Sequence, residues 1–131
     1  MHFFLHGPIA PDAQAALVRH GHVCHTPLEL SADTPAPDLA LDTPETLLPL
    51  LKKHQWNLVT VDGSFIAALY EAKHPFPATI IYILDDPADL HDQGAAIDRL
   101  FERYKRLAPW RMYTVTPNRV KVRQLPGAAR A

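Results

Sequence analysis

Short apolar runs alternate with stretches of helical periodicity along most of this chain. The runs are strand-length and are bounded by polar or turn-forming residues, which is typical of β-strands. We predict four such strands, at 2–6, 22–26, 57–61 and 78–84. Between them, apolar side chains recur three or four positions apart, which predicts helices. These helices are expected from Pro11 to His20, from Asp42 through the leucines at 47–51, at 65–72 and at 94–107.

The C-terminal part of the chain has a different pattern. Two apolar-alternating segments flank Pro117-Asn118, which predicts a β-hairpin with strands at 111–116 and 119–125. The segment 27–41 is a long loop that contains three prolines, and its length suggests a functional role. It ends at Asp42-Thr43-Pro44-Glu45, where Asp42 and Glu45 have the spacing of a capping box.

The regular alternation of strands and helices predicts an α/β fold with a mostly parallel sheet. A chain of 131 residues suits one domain, which we place at 1–126 with a flexible tail at 127–131. In such sheets ligands bind at the carboxyl ends of the strands, near the point where the strand order reverses. The ends of the first and third predicted strands therefore direct attention to His6 and Asp62.

Composition narrows the class of protein. The chain is 47% hydrophobic, too apolar for a disordered protein, and its single cysteine, Cys24, excludes a disulfide scaffold. No apolar run approaches the roughly 18 residues of a membrane span, and the N-terminus lacks the pattern of a signal peptide. We therefore expect a cytoplasmic protein that has no membrane partner.

The net charge of −1 conceals a strong asymmetry along the chain. Residues 1–98 contain 4 Lys or Arg and 13 Asp or Glu, whereas residues 99–131 contain 9 Lys or Arg and one acid, Glu102. This division predicts an acidic region and a basic region on one small body.

The acidic residues suggest a metal site. Asp62 ends the third strand, and Asp38, Asp42 and Glu45 lie in or just after the long loop. Carboxylates that converge at strand ends bind Mg²⁺ or Mn²⁺, and two such ions can promote cleavage of a phosphodiester. The structural alternative is that Asp42 and Glu45 only cap a helix while Asp62 stabilises a turn.

The basic residues suggest a surface that binds nucleic acid. Three arginines recur on one face of the last helix, and three cations alternate along the last strand. These residues are Arg99, Arg103 and Arg106 on the helix and Arg119, Lys121 and Arg123 on the strand. If the two faces adjoin, they form a phosphate-binding surface for RNA. The alternatives are solvated charges, or edge-strand cations that discourage aggregation.

A third pattern is His20-Gly21-His22-Val23-Cys24-His25, whose imidazole and thiol groups could ligate zinc. His22 and Cys24 share a strand face, whereas His25 points to the other. Because no second cysteine cluster completes four ligands, the sequence argues against zinc. A buried Cys24 beside surface histidines is the simpler interpretation.

Several strings together resemble one known family. The strand Phe3-Phe4-Leu5, the string Leu58-Val59-Thr60-Val61-Asp62-Gly63-Ser64-Phe65, the strand Ile80-Ile81-Tyr82-Ile83-Leu84 and the hairpin from Tyr113 to Arg123 are similar to the PIN-like domain family. That family is related to the toxin-type PIN ribonucleases, and the resemblance covers residues 1–126. It implies a three-layer α/β/α fold and a divalent-metal site of acidic residues, with Asp62 and either Asp42 or Glu45 among the ligands.

The chain departs from the family pattern at two of the expected carboxylates. His6 stands where the first strand usually ends in aspartate, and Ser64 replaces the second acid of the Asp-x-Asp-Phe string. The resemblance therefore implies a catalytically degenerate domain that binds RNA or a partner protein such as an antitoxin, and by analogy a homodimer. The alternative is an active Mg²⁺- or Mn²⁺-dependent endoribonuclease, the toxin of a toxin–antitoxin pair, in which His6 is a metal ligand or a proton shuttle.

Overall fold

A computed structural model describes residues 1–27, 43–84, 93–116 and 118–127 of the protein. Within these ranges the helices are α1 (Pro11–Arg19), α2 (Pro44–His54), α3 (Gly63–Glu71) and α4 (Gln93–Arg103). Its six strands are β1 (His2–His6), β2 (Val23–His25), β3 (Asn57–Thr60), β4 (Thr79–Ile83), β5 (Arg111–Val115) and β6 (Val120–Gln124).

The six strands form one sheet in the order β2-β1-β3-β4-β5-β6. Every neighbouring pair is parallel except the last, in which β6 runs antiparallel to β5. The prediction of an α/β fold with a mostly parallel sheet is confirmed. The predicted hairpin is present too, and it lengthens the sheet by one edge strand.

Each face of the sheet carries its own apolar core, because side chains alternate along the strands. Phe3 and Leu5 of β1 point to one face and pack with apolar residues of α1 and α4. Phe4, between them, points to the other face and packs with α2 and α3. Central strands that are apolar on both sides are typical of a parallel sheet covered by helices.

Two helix starts differ from the sequence prediction. Helix α2 has Thr43, not Asp42, at its N-cap position, and the Thr43 side chain makes no capping hydrogen bond. Helix α3 begins at Gly63, where a turn was expected, because the Asp62 side chain accepts hydrogen bonds from two backbone N–H groups of its first turn. Asp62, which the sequence places in a turn, thus caps α3, and the helix begins two residues earlier than the predicted start at Phe65.

Some predictions fall outside the described residues. They concern Asp38, Asp42 and most of the long loop, the residues that follow β4, Pro117, and the tail beyond Gly127. Within the described ranges, the helices are all too short or too polar to cross a bilayer.

The packing of α1 gives a first test of the fold. Leu17 is fully buried in the core between α1 and α4, whereas the neighbouring Val18 is 58% exposed. We expect Leu17→Ala to lower the free energy of unfolding by about 2–5 kcal/mol, since it leaves a cavity. Val18→Ala, the control, should change it by about 0.5 kcal/mol or less. Urea denaturation measures both, and equal effects would contradict this packing.

Candidate functional site

The carboxyl ends of β1 and β3 lie side by side, as the sequence predicted. The chain goes from β1 to β2 on one side and later returns to β3 on the other, so the strand order reverses at this point. His6, the last residue of β1, is paired in register with Thr60, the last residue of β3. The His6 Nδ1 and Thr60 Oγ1 atoms share a buried hydrogen bond of 2.8 Å. Ligand sites of open α/β sheets form at this kind of reversal.

Asp62 follows β3 directly and uses its carboxylate to cap α3. Its Oδ1 atom accepts hydrogen bonds from the backbone N–H groups of Ser64 at 2.9 Å and Phe65 at 3.3 Å. Its own N–H donates to Thr60 Oγ1 at 3.0 Å. Thr60 therefore links His6 to the start of the helix, and the Phe65 ring lies 4.8 Å from the His6 ring. The capping oxygen occupies the place at the helix N-terminus where an anion would otherwise bind.

A row of polar side chains crosses the sheet at this level, on the face covered by α2 and α3. We call it the polar row. Successive members are directly paired on neighbouring strands. They are His6 of β1, Thr60 of β3, Tyr82 of β4, Thr114 of β5 and Lys121 of β6. Two residues earlier on the same face, the positions on β1, β3, β4 and β5 are apolar and belong to the core. The polar row therefore marks the end of the core on this face.

Tyr82 connects the polar row with the first residue of α3. A Cβ atom placed on Gly63 would lie 2.8 Å from the Tyr82 hydroxyl, so only glycine leaves room for this contact. Partial burial raises the pKa of Tyr82, and the negative charge of Asp62 raises it further. The phenol therefore stays protonated and can donate a hydrogen bond.

The polar row becomes more exposed toward the edge of the sheet. His6 and Thr60 are buried, Tyr82 and Thr114 are half-buried, and Lys121 is exposed. Alternation along β6 places Arg123 on the same face as Lys121, and the Arg123 guanidinium lies 3.7 Å from the centre of the Tyr70 ring of α3. Arg119, just before β6, is exposed as well. We call Arg119, Lys121 and Arg123 the β6 cations.

The structure does not bring the two predicted basic rows together. The β6 cations lie on the face of α2 and α3, as their neighbour Leu125 shows by packing in that core. Helix α4 covers the opposite face, where Ile97 and Leu100 pack against the sheet. Arg99 and Arg103 are exposed on the side of α4 that points away from the sheet, whereas Arg106, predicted on the same helix, is exposed but lies beyond its end. The condition for one joint phosphate-binding surface, that the two faces adjoin, is therefore not met, and the basic residues form two separate rows.

Glu45 is also separate from Asp62. Its Oε1 atom pairs with His74 Nε2 at 2.9 Å. His74 follows the C-terminus of α3, whereas Asp62 caps the N-terminus, and nine helical residues span about 13 Å. A hydrogen bond to its own backbone and one from His74 lower the pKa of Glu45. These contacts fit a structural role, and Asp42, the other candidate from this segment, lies outside the described residues.

The described residues at the strand ends do not fit the divalent-metal site of the resemblance. Asp62 supplies one carboxylate, and one of its oxygens is used in capping. His6 is hydrogen-bonded to Thr60, and Ser64 is exposed. Across the described part of the chain, groups of three or more His, Cys, Asp or Glu side chains suited to a metal are absent. Mg²⁺ requires several oxygen ligands, so this arrangement is a weak site for it.

The residues of the His20–His25 motif diverge in the structure. His20 Nε2 lies 2.9 Å from Asp98 Oδ1, and His22 Nδ1 lies 3.2 Å from the Met1 amine. His25 hydrogen-bonds to His2 through its Nε2 atom, on the opposite face of the sheet from His22. Cys24 is a free, half-buried thiol, and burial raises its pKa. His20 and His22 both pack against Phe101, but His25 lies on the other face, and within the described ranges the motif forms no cluster of three metal ligands.

Sequence reasoning missed three members of the polar row: Thr60, Tyr82 and Thr114. Each lies in a predicted strand and in a string that carries the PIN-like resemblance, but neither pattern assigned it a role at the site. Their signal is a polar or amphipathic residue at the last inward position of each strand on one face. That signal is visible only when the register between the strands is known.

Comparison with known proteins finds no matching family model, curated protein or solved structure. The PIN-like resemblance thus depends on the sequence strings, and the site depends on its own geometry.

The capping role of Asp62 predicts different effects for two substitutions. Asp62→Ala removes the acceptor for the Ser64 and Phe65 N–H groups and should lower the free energy of unfolding by about 1 kcal/mol. Asp62→Asn keeps a capping oxygen and should change it by about 0.5 kcal/mol or less. Urea denaturation at neutral pH tests this, and equal losses would show that the charge, not the cap, is what matters.

The contact between Gly63 and Tyr82 predicts coupling between their substitutions. Gly63→Ala places a methyl group against the Tyr82 hydroxyl, whereas Tyr82→Phe removes that hydroxyl. We expect Gly63→Ala to be better tolerated in the Tyr82→Phe protein, with a coupling free energy of about 1 kcal/mol in a double-mutant cycle. Additive effects, within about 0.3 kcal/mol, would contradict the close approach.

Proposed function

We propose that this protein is a catalytically degenerate PIN-like domain that binds RNA through the β6 cations and the exposed end of the polar row. The observation that carries the proposal is the placement of Lys121. Lys121 ends a row of hydrogen-bonding side chains, Tyr82 and Thr114 among them, that leads from the sheet edge to the strand ends. Cations beside hydroxyl groups on an exposed sheet face suit a phosphate backbone.

The local charge supports the same proposal. Residues 118–127 contain three cations and no acid, in a chain whose net charge is −1. In the described ranges, the ion pairs involve Arg19, His20 and His74. None of these ion pairs includes a β6 cation. Arg123 is oriented by Tyr70, whereas Lys121 and Arg119 extend into solvent. A polyanion would gain from all three charges, since binding releases its condensed counterions.

The contacts of the polar side chains at the strand ends support the proposal that the domain has lost nuclease activity. A working centre would need carboxylates that are available to an ion, and the Asp62 carboxylate caps a helix while His6 bonds to Thr60. Losing carboxylates weakens metal-assisted chemistry more than it weakens binding.

One observation favours a second candidate, the active endoribonuclease. His6 and Asp62 are brought to the same strand ends, and Thr60 contacts both. If Asp42 approached this point, an ion such as Mn²⁺ would have a carboxylate pair and an imidazole as ligands. Incubation of structured RNAs with the protein and Mg²⁺ or Mn²⁺ separates the two candidates. We expect no turnover, whereas cleavage that Asp62→Asn abolishes would establish the second candidate.

The binding proposal is tested with two charge-matched double variants. Arg119→Gln with Lys121→Gln removes two β6 cations, and Arg99→Gln with Arg103→Gln removes two exposed cations from α4 on the opposite face. The probe is a labelled single-stranded RNA of about 20 nucleotides, followed by fluorescence anisotropy at several salt concentrations. We expect the first variant to weaken binding roughly tenfold and to reduce the salt slope by about 0.7 for each lost phosphate contact.

The control variant should stay within about twofold of the native affinity. Equal losses in both variants would show non-specific attraction and contradict the assignment to β6. If the native protein does not bind RNA at low salt, the RNA proposal fails, and an antitoxin-like protein partner becomes the interpretation to pursue.

A further inference from the structure

The end of the sheet opposite the polar row contains a stack of histidine and tryptophan rings. His25 of β2 lies 3.9 Å from the Trp56 ring, and His54 at the end of α2 lies 4.3 Å from it, both nearly parallel to the indole. His2, the first residue of β1, stacks beside His25 at 5.1 Å. The fold and the proposed function leave this group of three imidazoles unexplained.

Two nitrogens of this stack face each other at an accessible position. His2 Nδ1 and His25 Nε2 are 2.8 Å apart, which is a hydrogen-bond distance. In this pair one ring donates its proton and the other accepts it through a lone pair. Two such nitrogens bound to one tetrahedral Zn²⁺ ion at 2.0–2.1 Å would lie roughly 3.3 Å apart. To become two metal ligands, the nitrogens must separate by about half an ångström and the rings must turn, so that both lone pairs point at a common ion.

We infer that His2 and His25 form a two-imidazole site for a borderline divalent cation such as Cu²⁺ or Zn²⁺. Imidazole suits these ions and is a poor ligand for Mg²⁺ or Ca²⁺. His25 is held in place by its contact with Trp56, and His2 is exposed, so an ion has access and water can complete its coordination. The site is distinct from the strand-end acids, because His2 lies four residues before His6, about 13 Å along β1.

Metal at this position would join β1 to β2. Strand β2 has only three residues and forms one edge of the sheet, so it has few backbone hydrogen bonds to hold it. A cation bound by one side chain from each strand would stabilise that edge, and mass action would make the stability of the fold depend on metal concentration.

Trp56 provides a direct readout for the experiment. The chain contains two tryptophans, and a Trp110→Phe protein leaves Trp56 as the only one. Cu²⁺ bound to His25 would lie close to the indole and quench its fluorescence. We expect saturable quenching at one equivalent of Cu²⁺, reversal by a chelator such as EDTA, and no response to Mg²⁺.

Matched histidine variants make the test specific. In the same background, His2→Gln and His25→Gln should each weaken Cu²⁺ binding about tenfold or more, since each removes one of two ligands. His54 lies on the other face of the Trp56 ring, so the His54→Gln protein should bind Cu²⁺ with an affinity within about twofold of that of the Trp110→Phe protein. His22→Gln tests the nearby pair formed by His22 Nδ1 and the Met1 amine and should also have little effect.

The outcomes decide between this site and adventitious binding. Unchanged Cu²⁺ affinity in either the His2→Gln or the His25→Gln protein would overturn the inference, and so would an equal loss in the His22→Gln protein. His2 is exposed, so its replacement should not disturb folding, and circular dichroism verifies this. The RNA measurements use other residues, so either proposal can fail independently.

Discussion

The parallel pairing of β1 with β3 is the constraint on which the candidate site depends. It places His6 beside Thr60 in register, and their buried hydrogen bond of 2.8 Å joins the ends of two strands that are 54 residues apart in sequence. A slip of one residue would turn His6 toward the opposite core and place an apolar side chain at the strand ends. The cap of α3 depends on the same register, since the N–H of Asp62 donates to the Thr60 hydroxyl.

The same polar groups that secure the fold at this point are the ones a nuclease would need for catalysis. A carboxylate that caps a helix and an imidazole bonded to a threonine stabilise the native state, but both are less available to an ion. Among the described residues, the β6 cations have one comparable side-chain contact, that of Arg123 with the Tyr70 ring. This division of roles is the physical reason for proposing binding in place of catalysis.

Much of the fold could be predicted from the sequence, because elements such as strand β4 and helix α1 have strong local patterns. The proximity of His6 to the Asp62 segment could also be predicted, because sites in open α/β sheets form at the carboxyl ends of the strands. The polar row was not, since its members are single residues whose alignment depends on register. The separation of the two basic rows could not be predicted either, because it depends on which face of the sheet each element covers. Helix and strand periodicity predict which residues of an element are exposed, but they do not place two elements relative to one another.

The most direct measurement is a titration of the protein with Mn²⁺, followed by amide NMR. Paramagnetic Mn²⁺ broadens signals close to where it binds. If Asp62 serves as a cap, the Ser64 and Phe65 amides that donate to it should broaden no more than exposed amides elsewhere at one equivalent of Mn²⁺. Selective broadening of these two amides together with His6 at that concentration would contradict the account and restore a metal centre at the strand ends.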